Sequence, residues 1–438
     1  MGRFVRDARD RRIVALAIPA LGTLAVEPLY VLVDTAIVGH LGTTPLAGLA
    51  LAASVLLLVT AGCNFLAYAT TQRFAHHRGG GRPADAARVG VQALWLSVVI
   101  GIPLAAGLAA CARLLAWLLG GRGDVLDAAT TYLRISAVGI PFILVALAGQ
   151  GVLRGVQDLG TAFRIVLIAN LANVGLELLA VYGLDLGIAG SAWSTVVVQI
   201  GAAIAFLVVL RPHLAAAASR RIDREEMTPF LTAGGHLALR VATVLIVVTG
   251  STFVAAHVDD VTLAAHQIAA TLFSLVALAL DAYAIPAQTL VANALGAGEP
   301  SEAVEIGQRV LRLSILTATT LGLVLAALSW PLTHVFTSDP AVASRATVAL
   351  LLLALMLPPG GVAWALDGVL MGAGDYRFLG RASAVSALAF LPFAILTLAV
   401  PSLGIAGVWL AMVMWMVARA AVNERRYRSG QWIGVAKM

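Results

Sequence analysis

Twelve long apolar runs follow one another along the chain, each bounded by charged residues or by Gly/Pro clusters. The first six cover about residues 13–38, 46–75, 88–119, 125–153, 160–183 and 187–210. The second six cover about 228–255, 262–293, 303–332, 342–371, 377–399 and 404–423. Each is long enough for the roughly 20 residues that carry a helix across hydrocarbon. The runs are built of Leu, Ala, Val and Ile with scattered Gly, without the ten-residue alternation of a transmembrane barrel. A helix satisfies its own backbone in lipid. The pattern predicts an all-α polytopic membrane protein with twelve transmembrane helices.

Composition sharpens that picture. Of 438 residues, 60% are hydrophobic and 12% charged, and mean hydropathy is +0.92. Soluble domains carry about 25% charged residues. A disordered chain, a nucleic-acid binder and an ordinary soluble enzyme are all excluded. The opening basic stretch with its apolar run superficially resembles a signal peptide. The run holds Glu27 and Asp34, however, and reads as a retained first span. Cys63 and Cys111 both fall inside apolar runs, so neither a disulfide framework nor a metal site follows.

The arginines report orientation. Only Lys437 among the 29 basic residues is lysine. The N-terminal arm, the even-numbered connections and a tail counted from Arg419 hold most of them. The opposite side holds Arg113, Arg122, Arg134 and Arg345, and Arg240 sits within a span. The positive-inside rule then expects a multi-pass protein of the cytoplasmic (inner) membrane with both termini in the cytoplasm.

A fixed offset of 217 residues relates the two halves. Gly81-Arg-Pro-Ala-Asp-Ala returns as Gly298-Glu-Pro-Ser-Glu-Ala, and Leu186-Gly-Ile-Ala-Gly190 as Leu403-Gly-Ile-Ala-Gly407. The same shift takes Pro141 to Pro358, Gly151 to Gly368, Gly155 to Gly372 and Asp158 to Asp375. Chance similarity between apolar segments does not hold one offset over such distances. The expected organisation is two pseudo-symmetric six-helix bundles: an N-terminal lobe over 1–210, a cytoplasmic linker over 211–227, and a C-terminal lobe with tail over 228–438. Parallel repeats of this kind are a transporter architecture with the substrate site between halves.

Five acids fall within the spans: Glu27, Asp34, Glu177, Asp281 and Asp367. Each costs about 2.5–3.5 kcal/mol at a helix centre and so marks a pathway by default. Glu27 and Asp34 share a face of the first span, and Asn173 and Glu177 share a face of the fifth. A carboxylate cluster of this kind takes up a proton or Na⁺ on burial; a paired, structural carboxylate is the alternative. Pro19 and Pro28 interrupt the first helix and provide hinges. Arg240 is the expected counter-ion of Asp281, with substrate contact the other reading of that pair. Asp281 and Asp367 shift onto the neutral Asn64 and Gln150 of the first half. With Gln288 these complete the polar groups expected to line a substrate cavity, although a lone glutamine more often bonds a neighbouring helix. No Walker loop, His-Glu-x-x-His or Gly-x-Ser-x-Gly occurs. Neither nucleotide hydrolysis nor the common hydrolase chemistries are expected, and an ion gradient remains as the energy source.

The segment Pro28-Leu-Tyr-Val-Leu-Val-Asp-Thr-Ala-Ile-Val-Gly-His-Leu-Gly42 resembles the first-helix signature of the multidrug and toxic compound extrusion (MATE) transporters. Leu263-Ala-Ala-His-Gln267, Ala294-Leu-Gly-Ala-Gly298 and Asp367-Gly-Val-Leu-Met-Gly-Ala-Gly-Asp375 are similar to the family's C-half motifs, and Arg240 with Asp281 resembles the DinF branch. The resemblance implies two bundles around a V-shaped cavity with alternating access. By position it assigns Asp34 to cation coupling and Pro19 to the bend of that helix, with Tyr132, Asn173 and Thr195 as polar members of the same cluster. Glu177 stands where the family commonly has aspartate. The function it implies is antiport of amphipathic or cationic organic compounds against H⁺ or Na⁺. No cofactor and no nucleic-acid partner are expected, and the lipid-embedded chain is expected to work as a monomer. A lipid-linked saccharide flippase would need a cationic cavity, and a lipid-modifying enzyme would need loop acids that here are few and dispersed.

Overall fold

A computed structural model describes residues 7–435. Twelve helices among the described residues are long and apolar enough to cross a membrane. They are α1 (Ala8–Gly39), α2 (Thr43–Gly79), α3 (Pro83–Leu118), α4 (Gly123–Gly155), α5 (Leu159–Gly183) and α6 (Gly187–Leu214). The second set is α7 (Arg224–Val258), α8 (Asp260–Gly296), α9 (Pro300–Phe336), α10 (Pro340–Gly372), α11 (Tyr376–Ala399) and α12 (Pro401–Arg428). A short α13 (Gln431–Val435) follows. The helices overrun the apolar runs by several residues, because a helix that has crossed the hydrocarbon continues through polar turns in the headgroup layer.

The repeat is visible in the helix ends. Adding 217 to the first residue of α2, α3, α4, α5 and α6 lands on the first residue of α8, α9, α10, α11 and, for Gly187, on Gly404. Pro83 and Pro300 both occupy the first helical turn, where a missing N–H costs nothing. Their preceding turns need left-handed backbone, supplied by Gly81 (φ 67°) and Gly298 (φ 76°).

The chain forms two compact units, Pro19–Gly234 and Gly235–Met438 together with the segment before Pro19. In the first, α4 is the central helix, flanked by α2, α3 and α6. In the second, α10 takes that place against α8, α9 and α12. Close approach at these centres depends on glycine. A Cβ on Gly151 would lie 2.8 Å from the Ala67 carbonyl, and one on Gly368 would lie 2.4 Å from the Ala284 carbonyl. Residues 67 and 284 are themselves related by the 217 shift. Without a hydrophobic driving force in lipid, small residues that admit a neighbouring backbone hold helices together.

Helix α1 passes from one unit to the other at Pro19. Its first turns pack in the second unit, where Asp10, fully buried, receives Arg309 (3.2 Å) and Arg312 (2.5 Å). Between α6 and α7, residues 215–223 lie outside both helices, within the stretch expected as the linker. Arg3, Arg6 and Lys437, counted above for orientation, lie outside the described residues, as does the Glu27 side chain.

Candidate functional site

Three helix pairs of residues at i, i+4 spacing build a polar cluster inside the first unit. α1 carries Tyr30 and Asp34, α5 carries Asn173 and Glu177, and α6 carries Ser191 and Thr195. Tyr132 on α4, 4% exposed, completes the group beside Ser191. Asp34 is 5% exposed, Asn173 2% and Glu177 not at all.

The two acids are held differently. Ser191 Oγ donates to Asp34 Oδ1 at 2.8 Å. Thr195 Oγ1 donates to the Ser191 carbonyl (3.1 Å), so its own oxygen accepts from the Tyr30 hydroxyl at 2.9 Å. The Tyr182 hydroxyl donates to the Ile37 carbonyl at 2.7 Å and ties the end of α5 to α1. The Glu177 carboxyl faces Asp34 and Ser191. Among the described residues, neither Glu177 oxygen and neither polar atom of the Asn173 amide has a hydrogen-bond partner. Leaving a buried polar group unsatisfied costs about 1–3 kcal/mol. Immediately after Glu177 the helix widens into a π turn over Leu179–Gly183. Such turns concentrate at functional sites, because the extra residue interrupts the regular ladder.

The second unit treats its carboxylate in the opposite way. Asp367 on α10 is 2% exposed and accepts from Arg240 on α7 at 2.6 Å. Arg419 on α12 reaches the same oxygen, and Asn423 Nδ2 donates to the other at 2.7 Å. The Arg419 guanidinium also lies over Trp364 and Trp415, 5.5 and 5.9 Å from their ring centroids. Asp367, expected to line a substrate cavity, is instead enclosed by cations, since a bare buried charge would cost several kcal/mol. Arg240, the expected counter-ion of Asp281 on α8, donates to Asp367 on α10. Arg419, counted above with the tail, is 4% exposed inside α12.

The remaining expected residues are spread through the two units. Asn64 marks the interruption of α2 between Cys63 and Phe65. Gln150 accepts from Arg154 at 3.3 Å. Gln288 is 1% exposed and Asp281 half-buried, both on α8. Pro19 and Pro28 lie inside α1 without ending it. Sequence reasoning missed Tyr30, Ser191, Arg419 and Asn423. Their signal was the i, i+4 spacing that had already identified Asn173 with Glu177.

Known proteins carry this arrangement of helices. The MatE family model matches residues 19–179 and again 237–396, once in each half of the repeat. Protein DETOXIFICATION 44, chloroplastic, from Arabidopsis thaliana is 32% identical over 435 residues, covering 96% of this chain and 83% of that protein. DNA damage-inducible protein F of Escherichia coli is 27% identical, covering 97% of this chain and 94% of its own length. Among solved structures, that of MATE in the bent conformation superposes with a TM-score of 0.89 at 19% identity, over 100% of this chain and 99% of the other. With one matched segment in each unit and relatives aligned along almost the whole chain, this multi-pass membrane protein is a transporter rather than an enzyme, and it belongs to the MatE family of multidrug and toxin extrusion proteins.

Proposed function

We propose that this protein is a cation-coupled antiporter that exports amphipathic or cationic organic compounds by alternating access, with H⁺ as the coupling ion. The cytoplasmic membrane, with both termini in the cytoplasm, is the location this reading implies. The single observation that supports it most is the pair of buried acids on α1 and α5, Asp34 bonded and Glu177 without a hydrogen-bond partner among the described residues. Two carboxylates side by side in a medium of low dielectric cannot both keep their charge. One proton shared between them relieves the repulsion and gives a Glu177 oxygen the donor it lacks. Loss of that proton leaves two buried charges, and repacking α1 and α5 toward water or toward a cationic cargo is the response available.

Asp34 and Glu177 hold the proton in this mechanism, and Ser191, Tyr30, Thr195, Tyr132 and Asn173 orient them. Pro19 and Pro28 supply the places where α1 bends, because each removes a ladder hydrogen bond. Asn64, Gln150, Asp281 and Gln288 remain the proposed polar contacts for cargo. The arginines of the second unit do not favour an anionic saccharide cargo, since both are already engaged by Asp367.

The test is efflux of a cationic dye from proteoliposomes under an imposed pH gradient and, separately, an imposed sodium gradient. Efflux driven by the pH gradient alone, and lost in Asp34→Asn, is expected. Efflux driven only by sodium would replace the proton as coupling ion; efflux needing neither gradient would overturn the proposal.

A further inference from the structure

The connection between α6 and α7 is built onto α3 rather than trailing in solvent. Gln92, 1% exposed, grips it from both ends: its Nε2 donates to the Arg221 carbonyl at 2.7 Å and its Oε1 accepts from the Asp223 N–H at 2.9 Å. Trp95 Nε1 donates to the Arg220 carbonyl at 2.7 Å. Between α3 and this fold lies an open cavity of about 320 Å³. Three arginines line it, Arg88, Arg221 and Arg224.

The local carboxylates are mostly committed elsewhere. Asp223 Oδ1 caps the start of α7 by accepting from the Glu225 and Glu226 N–H groups. Glu226 is taken by Arg73 (2.6 Å) and Arg88 (2.8 Å). Among the described residues, Arg221 and Arg224 make no ion pair, and Arg88 Nε is buried without a partner. The cavity therefore offers N–H donors to an anion beside the positive end of a 35-residue helix. Glu225 and Asp223, which line the same cavity, are the carboxylates that oppose one.

The face of α3 below the cavity shows what kind of anion fits. Arg88, Gln92, Trp95, Val99 and Ile102 follow one another at helical spacing along a single stripe. The three apolar members are 38%, 47% and 57% exposed, the surface a lipid tail covers. Ile222, 50% exposed, extends that apolar rim onto the connection. Cationic groups thus stand at the polar end of a lipid-facing groove, one to two helical turns above a tryptophan of the kind that marks the interface.

We propose that this pocket binds the headgroup phosphate of an anionic phospholipid, with Arg88, Arg221 and Arg224 as donors and an acyl chain along Trp95, Val99 and Ile102. Basic pockets at this depth recognise lipid phosphates, and each arginine near the surface contributes about fivefold in affinity. The lipid would pin the connection between the two repeats against α3.

The experiment uses full-length protein in neutral detergent and follows thermal unfolding on addition of phosphatidylglycerol, phosphatidylcholine or inorganic phosphate. Phosphatidylglycerol is expected to raise the midpoint where phosphatidylcholine does not. In Arg221→Gln/Arg224→Gln its half-saturating concentration should rise about 30-fold. Both residues are exposed and make no ion pair among the described residues, so the variant folds as the parent does, which its midpoint without lipid checks. Glu225→Gln should tighten binding, since it removes an opposing charge. No selectivity for phosphatidylglycerol, or a shift that survives the double variant, overturns the proposal. An equal shift with inorganic phosphate alone overturns the lipid assignment in favour of a soluble anion.

Discussion

The two units share helix ends and glycine contacts at one offset, yet their buried polar groups do not correspond. Shifting the first unit's acid cluster by 217 takes Asp34 to Ser251, Tyr132 to Ala349, Asn173 to Phe390, Glu177 to Ala394 and Thr195 to Met412. Only Ser251 keeps a polar role there, 3.5 Å from Nε2 of the buried His266. In the reverse direction Asp367, Arg240, Arg419 and Asn423 fall on Gln150, Thr23, Ala202 and Phe206. The duplication preserved a scaffold, and each half placed charge in it independently. What differs is satisfaction. The acid of the second unit has two guanidiniums and an amide, whereas Glu177 of the first has no hydrogen bond among the described residues. A neutralised cluster rigidifies a bundle; an unsatisfied one changes with its protonation.

That contrast can be broken experimentally, most severely at its two acids. Asp34→Asn should bring proton-driven dye efflux in proteoliposomes down to the protein-free background, with the purified variant unfolding at the parent's midpoint. Asp367→Asn should do the opposite, costing about 3–5 kcal/mol of stability because two buried guanidiniums lose their counter-charge. Thermal unfolding in detergent measures it, and an unchanged midpoint would remove the structural role assigned to Asp367. Glu177→Gln sharpens the comparison: a neutral amide there should leave the midpoint unchanged or raise it while abolishing the pH dependence of efflux.

Smaller effects test the shared scaffold and its surface. Gly151→Ala and Gly368→Ala should each cost about 1–3 kcal/mol by overpacking, and by similar amounts, since both Cβ atoms meet a carbonyl of the neighbouring helix. Unequal losses beyond that range would show that the two centres pack differently. At the turn before α8, Asp259 caps the Thr262 N–H at 2.7 Å and pairs with Arg345, which holds its carboxyl down at about 2. Its contribution is complete above the unfolded value near 4 and disappears as pH falls toward 2. Asp259→Asn keeps the cap and removes the pair, so the loss at neutral pH should stay under about 1 kcal/mol and shrink with added salt. Midpoints at low and high salt check it.

Much of the fold was legible in the chain. The apolar runs located all twelve spans, and the offset anticipated which helix ends would match. Asp34, Asn173 and Glu177 stand out in the sequence itself, Tyr132 and Thr195 through the family resemblance, and all five lie in one unit. The pairing of charges was not legible. Arg419 counts with the cytoplasmic tail beside Arg425, Arg426 and Arg428, yet α12 carries it inward onto Asp367, 52 residues away in sequence. Arg240 reads from the chain as the counter-ion of Asp281 on the next helix, and its bond to Asp367, 127 residues on, left no trace in the sequence. Ser191, which holds Asp34, was hidden among the many hydroxyls of an Ala/Ser/Thr-rich helix start.

Hydrophobicity adds up residue by residue along the chain, so the sequence by itself determined how often this protein crosses a membrane, where each crossing begins and that one half repeats the other. Electrostatic satisfaction acts over a few ångströms between helices distant in sequence. Only tertiary packing could therefore decide that Asp367 would be neutralised, and that Glu177 would be buried beside a second acid with no hydrogen bond of its own among the described residues.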